Sequence, residues 1–253
     1  MKKRALCSVI VPAYNCEKTV RASVESALRQ TYSPIEVLIA NDASTDGTRS
    51  VLADLAKEDS RVIVTNLRKN RGVAGARNLL FERAQGDYIA FLDSDDIWYE
   101  DKLEKQIALL EERDVDLVYS SYAFIDGEGA SIGEAKIVPA DCTFKALLKE
   151  NYILPSTVVM KSSWVKEYRM DGSYSHEDYV FWLAMMQGGL VAAGNPDVLI
   201  DYRLFESNRS GNKQKAAKNR WIVYRRFLGM NVFVAAWYFA NYAINGVKKY
   251  RGL

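Results

Sequence analysis

The chain is poor in the residues that most often form disulfides or bind transition metals. Its 253 residues include one histidine, His176, and three cysteines, and no Cys-x-x-Cys pair occurs. The cysteines, Cys7, Cys16 and Cys142, therefore predict neither a disulfide framework nor a zinc knuckle, and they fit a reducing cytosol. The single histidine leaves little scope for a His-rich metal site and at most one partner for Ser-His-Asp catalysis.

Two phosphate-binding signatures are missing as well. No GxxxxGK[ST] occurs, so the sequence does not support a P-loop NTPase. The glycines of "NRGVAGAR" (70–77) do not form GxGxxG and follow the third predicted strand, which makes a dinucleotide-dependent dehydrogenase a weak interpretation. The basic start "MKKRALCSVIVPAYN" has only a short, strand-like apolar stretch, so we expect no signal peptide.

Acidic residues are absent from the last part of the chain. Residues 207–253 contain ten Lys or Arg residues and no Asp or Glu, whereas residues 1–206 contain 24 basic and 32 acidic residues. An acidic body with a basic tail indicates that the tail faces an anionic partner, which is either lipid or nucleic acid.

The uncharged segment 227–247 lies between two basic pairs and is long enough to cross a membrane. Its pattern is amphipathic instead, and its Trp, Tyr and basic flanks favour a helix that lies on a membrane surface. A helix packed on the body or on a second subunit, and a true span, remain alternatives. We therefore expect 213–253 to bind the membrane peripherally. One predicted face holds Phe233, Ala236, Trp237, Ala240, Ala243, Ile244 and Val247, and the other holds Asn231, Tyr238, Asn241, Tyr242 and Asn245.

Apolar runs alternate with helical patterns through the first half of the chain. Near-continuous apolar strands, each followed by a helix, predict an α/β fold with a mostly parallel, Rossmann-like sheet and helices on both faces. We predict this domain for 1–206 and a basic amphipathic helical tail for 207–253. The predicted strands are 8–15, 35–42, 61–67, 87–95, 115–125 and 197–206. A helix with Val20, Val24, Ala27 and Leu28 on one face is predicted after the first strand, and the other predicted helices are 47–58, 73–84, 100–113, 143–150 and 177–189.

Four successive predicted strand ends carry polar clusters. Ligands bind at the carboxyl ends of the strands in such sheets, although Asn, Asp and Gly are also what ordinary turns use. One such ending means little, but four in succession favour a binding crevice. The clusters are Pro12-Ala13-Tyr14-Asn15, Asn41-Asp42, Asn70-Arg71-Gly72 and Asp93-Ser94-Asp95-Asp96.

The acidic cluster in "FLDSDD" (91–96) has two interpretations. One carboxylate could begin the following helix, where the free N–H groups favour negative charge, and Asp96 is placed best for this. Three carboxylates in four positions are better explained by a divalent cation, since Mg²⁺ is usually held by one or two carboxylates and the phosphates of a substrate. The sequence thus predicts a metal–diphosphate site. Arg77 could contact a diphosphate there, or could be an ordinary surface arginine.

A second acidic pair lies in "SHEDYVFWLAMM" (175–186). Glu177 and Asp178 fall in the first turn of a predicted helix, where acids are favoured anyway. A general base would nevertheless need a carboxylate of this kind, aimed into a crevice. Trp182 lies one turn beyond Asp178 and could hold a sugar ring, although such a tryptophan is more often part of the core.

The order and spacing of five of these segments resemble glycosyltransferase family 2. The resemblance covers about residues 6–205 and rests on "SVIVPAYNCEKTV", "NDASTDGT", "NRGVAGARN", "FLDSDDIW" and "HEDYVFWLAM". It implies a GT-A fold and an inverting enzyme that uses a nucleotide-diphosphate sugar. Within the family, the sequence looks most similar to bacterial enzymes that build teichuronic acid, O-antigen or capsule.

The resemblance also implies roles for individual residues. Asp178 would be the general base, with Glu177 and Trp182 shaping the acceptor site. Asp95 would bind the metal, Mg²⁺ or Mn²⁺, that holds the diphosphate. The nucleotide sugar, expected to be a UDP-sugar, would contact Pro12, Ala13, Tyr14, Glu17, Asp42, Asn70, Arg71, Gly72, Arg77, Asp93 and Ser94.

One departure from the family concerns "YRLFESNRS" (202–210), where Phe205 stands in place of a histidine that ligates the metal in some relatives. Strict metal dependence is therefore open. We expect a lipid-linked glycan acceptor, a location on the inner face of the cell membrane, no nucleic-acid partner, and a homo-oligomer as an option. The rival functions are a nucleotidyltransferase and a sugar-nucleotide-binding protein without activity.

Overall fold

The computed structural model describes residues 4–205 and 213–249. Within them, the chain forms a nine-stranded sheet flanked by helices. The strands are Cys7–Ala13 (β1), Ile35–Asn41 (β2), Val62–Asn66 (β3), Tyr88–Phe91 (β4), Ile97–Trp98 (β5), Leu117–Ile125 (β6), Asp141–Cys142 (β7), Val159–Lys161 (β8) and Ala192–Arg203 (β9). The helices are Val20–Leu28 (α1), Thr48–Glu58 (α2), Gly72–Arg83 (α3), Lys102–Glu112 (α4), Phe144–Lys149 (α5), Ser163–Glu167 (α6), Glu177–Gln187 (α7), Lys213–Ile222 (α8) and Val232–Lys249 (α9).

The amino-terminal half of the sheet is parallel. β1 lies between β2 and β4, and β3 extends the sheet beyond β2. All seven residues of β2 and all four of β4 are buried, which explains why these central strands are mostly apolar. The predicted α/β class is thereby confirmed, and the carboxyl ends of β1, β2 and β4 meet at one edge.

The other half of the sheet mixes strand directions. β8 is antiparallel to both β4 and β6 and so joins the two halves, while β9 runs parallel to β6. β8 spans only three residues, too few for a period-2 pattern to predict. The predicted strand 87–95 ends at Phe91, and residues 97–98 form β5, which pairs with β9.

Asp96 does not begin the helix that follows it, which corrects the sequence-based expectation. Helix α4 begins at Lys102, after Asp101. Asp96 is buried, and its Oδ1 accepts a hydrogen bond from the backbone N–H of Arg203 at 3.0 Å. Burial, followed by the charges of Asp95 and Asp93, raises the pKa of Asp96 well above its ordinary value. This carboxyl group therefore fastens the loop after β4 to β9.

The carboxyl-terminal helices pack against the body through α5. A π-helical turn, Val223–Phe227, connects α8 to the segment before α9, and the Tyr224 hydroxyl donates to the carbonyl oxygen of Leu148. Val223 and Ala235 are buried and belong to the hydrophobic core. The predicted domain boundary at residue 206 lies outside the described residues and stays a prediction.

Helix α9 presents two unlike faces. Tyr238, Tyr242 and Asn245 turn towards the body, and the Asn245 amide reaches the carbonyl oxygen of Lys149. Phe233, on the outer face, is 83% exposed. The other exposed residues of this face are Ala236, Trp237, Ala240, Ala243 and Ile244. The side chain of Val247 lies outside the described residues. Within 4–205 and 213–249, no helix combines the length and apolar character needed to cross a membrane.

Candidate active site

A cavity of about 690 Å³ lies at the edge where β1, β2 and β4 end. The first turn of α7, the end of α5 and the carboxyl-terminal helices close its far side. Twelve of the predicted site residues line it: Pro12, Ala13, Tyr14, Asp42, Asn70, Gly72, Arg77, Asp93, Ser94, Asp95, Glu177 and Asp178.

Asp42, at the end of β2, fixes the loop that precedes α3. Its Oδ1 accepts a hydrogen bond from the backbone N–H of Arg71 at 2.7 Å, and its carbonyl oxygen accepts from the Asn70 amide at 3.2 Å. Gly72 has a φ of 73°, in the left-handed region that a side chain disfavours. The loop therefore enters the cavity with a defined shape, and the ring of Tyr14 stands at the rim, about half exposed.

Arg77 joins the acidic cluster to helix α7. Its guanidinium is 2% exposed, donates to Asp93 and lies 4.0 Å from Glu177 Oε1. Burial disfavours the charged guanidinium, but Asp93, Glu177 and Asp178 outweigh it and raise the pKa of Arg77. The arginine is thus a buried cation between the carboxylate of Asp93, which follows β4, and that of Glu177, at the start of α7. It is not the exposed surface arginine that the sequence left as the alternative.

Asp95 differs from Asp93, which is paired with Arg77, because no ion pair in the described part of the chain involves its carboxylate. Burial and then the negative charge of Asp93 raise the pKa of Asp95 to about 6. An acid held in this way favours a cation beside it. No group of three or more His, Cys, Asp or Glu side chains within 4–205 and 213–249 could hold a metal alone. One or two carboxylates fit a cation whose other ligands come from substrate phosphates.

Phe205 lies where a histidine ligand was considered. Its ring packs beside Gly127, and the side chain is 37% exposed. Since a phenyl ring offers no lone pair, Phe205 itself cannot ligate a metal.

Asp178 lies in the first turn of α7, half-buried, and lines the cavity opposite the strand ends. Glu177 beside it is 6% exposed and turns towards Arg77. The helix start favours both acids. Of this pair of acids, Asp178 is the one whose carboxylate is accessible from the cavity, as a general base would require.

Three predicted site residues do not line the cavity. Glu17 accepts from the backbone N–H of Gly47 at 2.5 Å, and Arg71 contributes its backbone while its side chain is exposed. Trp182 is fully buried and packs edge-on against Phe91, with ring centres 5.4 Å apart. This corrects the expectation that Trp182 shapes the acceptor site. Most side chains of helix α7 are buried. Trp182, one turn after Asp178 on the same face, therefore packs in the core and not in the cavity.

Sequence reasoning missed the far wall of the cavity. Lys149 ends helix α5 and Glu150 follows it, Tyr179 follows Asp178, and the tail supplies further side chains. The basic composition of the tail was visible in the sequence, but no spacing rule could place it over the strand ends. The tail residues are Ala216, Arg220, Tyr242 and Asn245.

Residues 8–168 match the sequence profile described as "Glycosyl transferase family 2". TuaG of Bacillus subtilis (strain 168), assigned as a glycosyltransferase of teichuronic acid biosynthesis, is 38% identical over 97% of this chain and 98% of its own. The chain belongs to glycosyltransferase family 2. It is 36% identical to WfgD of Escherichia coli, "UDP-Glc:alpha-D-GlcNAc-diphosphoundecaprenol beta-1,3-glucosyltransferase", over 97% of this chain and 95% of WfgD.

Solved structures agree with the GT-A fold expected of this family 2 enzyme. The TarS fragment 1–349 of S. aureus in complex with UDP-GlcNAc gives a TM-score of 0.73 at 20% identity, covering 94% of this chain and 71% of that one. The mannosyltransferase PcManGT of Pyrobaculum calidifontis, in complex with GDP-Man and Mn²⁺, gives 0.70 at 17% identity, covering 96% and 74%. At these identities the likeness concerns the fold.

Proposed function

We propose that this glycosyltransferase moves a sugar, with inversion, from a UDP-sugar to a lipid-linked glycan acceptor in the biosynthesis of a bacterial surface polysaccharide. The observation that carries the proposal is one cavity with Asp42, Asp93 and Asp95 on the sheet side and Asp178 across from them. The names of TuaG and WfgD support the pathway and the acceptor class, and the TarS complex supports the sugar donor.

The chemistry follows from the two sides of the cavity. The acceptor hydroxyl attacks the anomeric carbon from the face opposite the diphosphate, and Asp178 takes its proton. The new C–O bond forms as the bond to the diphosphate oxygen breaks, and the electron pair leaves with the UDP. Asp95, with Asp93 beside it, would hold Mg²⁺ or Mn²⁺, which when bound neutralises charge on the leaving diphosphate. Arg77 keeps Asp93 and Glu177 in place.

Transfer itself tests the function. The full chain would be given a panel of nucleotide sugars with Mg²⁺ or Mn²⁺ and an acceptor in which GlcNAc is joined through a diphosphate to an undecyl chain. We expect transfer from a UDP-sugar, lost on adding EDTA and restored by the metal. Nucleotidyl transfer from a nucleoside triphosphate, or binding without turnover for every sugar, would contradict the proposal.

We propose that the enzyme binds the inner surface of the cell membrane through the outer face of α9. Phe233, Trp237 and Ile244 are 83%, 54% and 56% exposed on one helix face. An apolar helix face flanked by basic residues binds an anionic lipid surface. Residues 207–253 provide this charge, with ten basic residues and no acidic one. The opposite face of the same helix supplies Tyr242 and Asn245 to the cavity.

Replacing Phe233, Trp237 and Ile244 together by serine should weaken binding to phosphatidylglycerol-containing vesicles by at least about 10-fold. These three side chains supply most of the apolar area that the helix would bury in the lipid surface. Vesicle co-sedimentation measures this. Serine at Ile63, Ile137 and Val191, which are similarly exposed outside the tail, is the matched control and should leave binding unchanged. A triple tail variant that binds vesicles normally but changes from dimer to monomer would contradict the membrane assignment and identify the face as a subunit interface.

A further inference from the structure

Arg220 is a buried cation in the wall that the tail contributes to the cavity. It lies on α8, is 7% exposed, and lines the cavity together with Asp178 and Tyr179. Its guanidinium carbon is 3.6 Å from the centre of the Tyr179 ring and 4.7 Å from that of Tyr242. The two rings, one from α7 and one from α9, therefore fix the position of the guanidinium.

The hydrogen-bonding capacity of this guanidinium is not used up. Its Nη1 is buried and has no hydrogen-bond partner. Within 4–205 and 213–249, no carboxylate forms an ion pair with Arg220, in contrast to Arg77, which has Asp93 and Glu177. An arginine cannot relieve burial by losing its proton, and a buried unpaired charge is costly. Such a group in a cavity indicates a ligand that completes it.

The position of Arg220 identifies which substrate group it would meet. Tyr179, on which it stacks, directly follows Asp178, the proposed base. The diphosphate of the sugar donor would be held on the opposite wall, where Asp95 would bind the metal ion. Lys149 adds a second cation to the tail side, and its Nζ lies 5.1 Å from the ring centre of Trp237, on the outward face of α9. Arg220 and Lys149 thus lie between Asp178, the proposed base, and the outer face of α9 that is proposed to contact lipid.

We propose that Arg220 binds a phosphate of the diphosphate that joins the acceptor sugar to its lipid. This inference rests on the proposed function and specifies its acceptor: a sugar linked through a diphosphate rather than through a glycosidic or ester bond. The planar guanidinium suits two parallel hydrogen bonds to phosphate oxygens, and the stacked tyrosines exclude water from them. With its diphosphate bound at Arg220, the acceptor sugar would place its reacting hydroxyl beside Asp178.

The test measures binding of undecyl diphosphate to the full-length enzyme saturated with UDP and Mg²⁺, by calorimetry. Arg220→Gln should weaken this binding about 10- to 100-fold, the loss expected for charge-assisted hydrogen bonds. Arg220→Lys keeps the charge but not the fork and should lose less. Arg49→Gln removes an exposed arginine outside both the tail and the cavity and should have no effect. Inorganic diphosphate, offered in a parallel titration, separates recognition of a lipid-linked diphosphate from recognition of the free anion.

Two readouts decide between the outcomes. UDP affinity and melting temperature should be unchanged in Arg220→Lys, which shows that the fold persists even if Arg220→Gln is unstable. If Arg220→Lys instead weakened UDP and left undecyl diphosphate binding intact, the arginine would belong to the sugar-donor site and the proposal would be overturned. Equal binding of undecyl diphosphate by all variants would overturn it as well. Failure of the proposed function looks different: Arg220-dependent binding would persist while no UDP-sugar was transferred.

Discussion

The two walls of the cavity treat charge in opposite ways. On the sheet side, Arg77 is paired with Asp93 and Glu177, so these charges stabilise one another before any substrate arrives. On the tail side, Arg220 and Lys149 lie against aromatic rings without a carboxylate partner in the described part of the chain. The charges on the sheet side are therefore already paired when a nucleotide sugar binds. On the tail side, we expect an anionic ligand to supply the partner of the cations.

Breaking the pairing on the sheet side should have the largest effect. Arg77→Met leaves Asp93 and Glu177 in the cavity wall without their cation, and removing one partner of a buried pair costs about 3–5 kcal/mol. We expect a loss of this size in the free energy of unfolding, measured by urea denaturation. Arg49→Met, at an exposed arginine, is the control and should change stability little. Normal stability of Arg77→Met would show that the two walls do not differ in this way.

A buried cation outside the cavity sharpens the comparison with Arg220. Lys102 is fully buried, and its Nζ lies 4.2 Å from the centre of the Trp98 ring with no hydrogen-bond partner. Burial lowers the pKa of Lys102 to about 7. Between pH 7 and about pH 10.5 the unfolded chain therefore carries a proton that the folded chain lacks, so stability rises with pH across this window.

Lys102→Met should raise the free energy of unfolding at pH 6.5 by about 1–4 kcal/mol and flatten its rise between pH 7 and 10. Transfer activity should be unchanged, because this cation does not line the cavity. Lys145→Met removes an exposed lysine and serves as the control. An unaltered pH profile, or a loss of sugar transfer, would contradict this view of Lys102.

The sheet side was predictable from the sequence because local patterns determine it. Asp42, Asn70 and Asp93 each follow an apolar run, and parallel strands bring such ends to one edge. The resemblance to family 2 added the roles of Asp95 and Asp178, which spacing alone could not assign.

The tail side was not predictable, because it depends on contacts between distant segments. The periodicity of α9 correctly separated Phe233 and Trp237 from Tyr242 and Asn245, but it could not say which face would be covered. Trp182 and Asp96 were misplaced for the same reason. Helical spacing shows which residues share a face, but not whether that face lines a cavity or packs in the core. An aspartate that follows a strand can accept a hydrogen bond from the backbone N–H of a neighbouring strand as readily as from that of a helix start.

The most direct test of the account is Asp178→Asn. The amide keeps the shape of the side chain but cannot take the proton of the acceptor hydroxyl, so transfer should fall by at least about 10²-fold while UDP-sugar affinity is retained. Asp171→Asn, at an exposed aspartate before α7, should behave as the unaltered enzyme. Transfer measured with the diphosphate-linked acceptor decides the matter. A large loss with intact UDP-sugar binding is the predicted result, and unchanged transfer would contradict the assignment of Asp178 as the base.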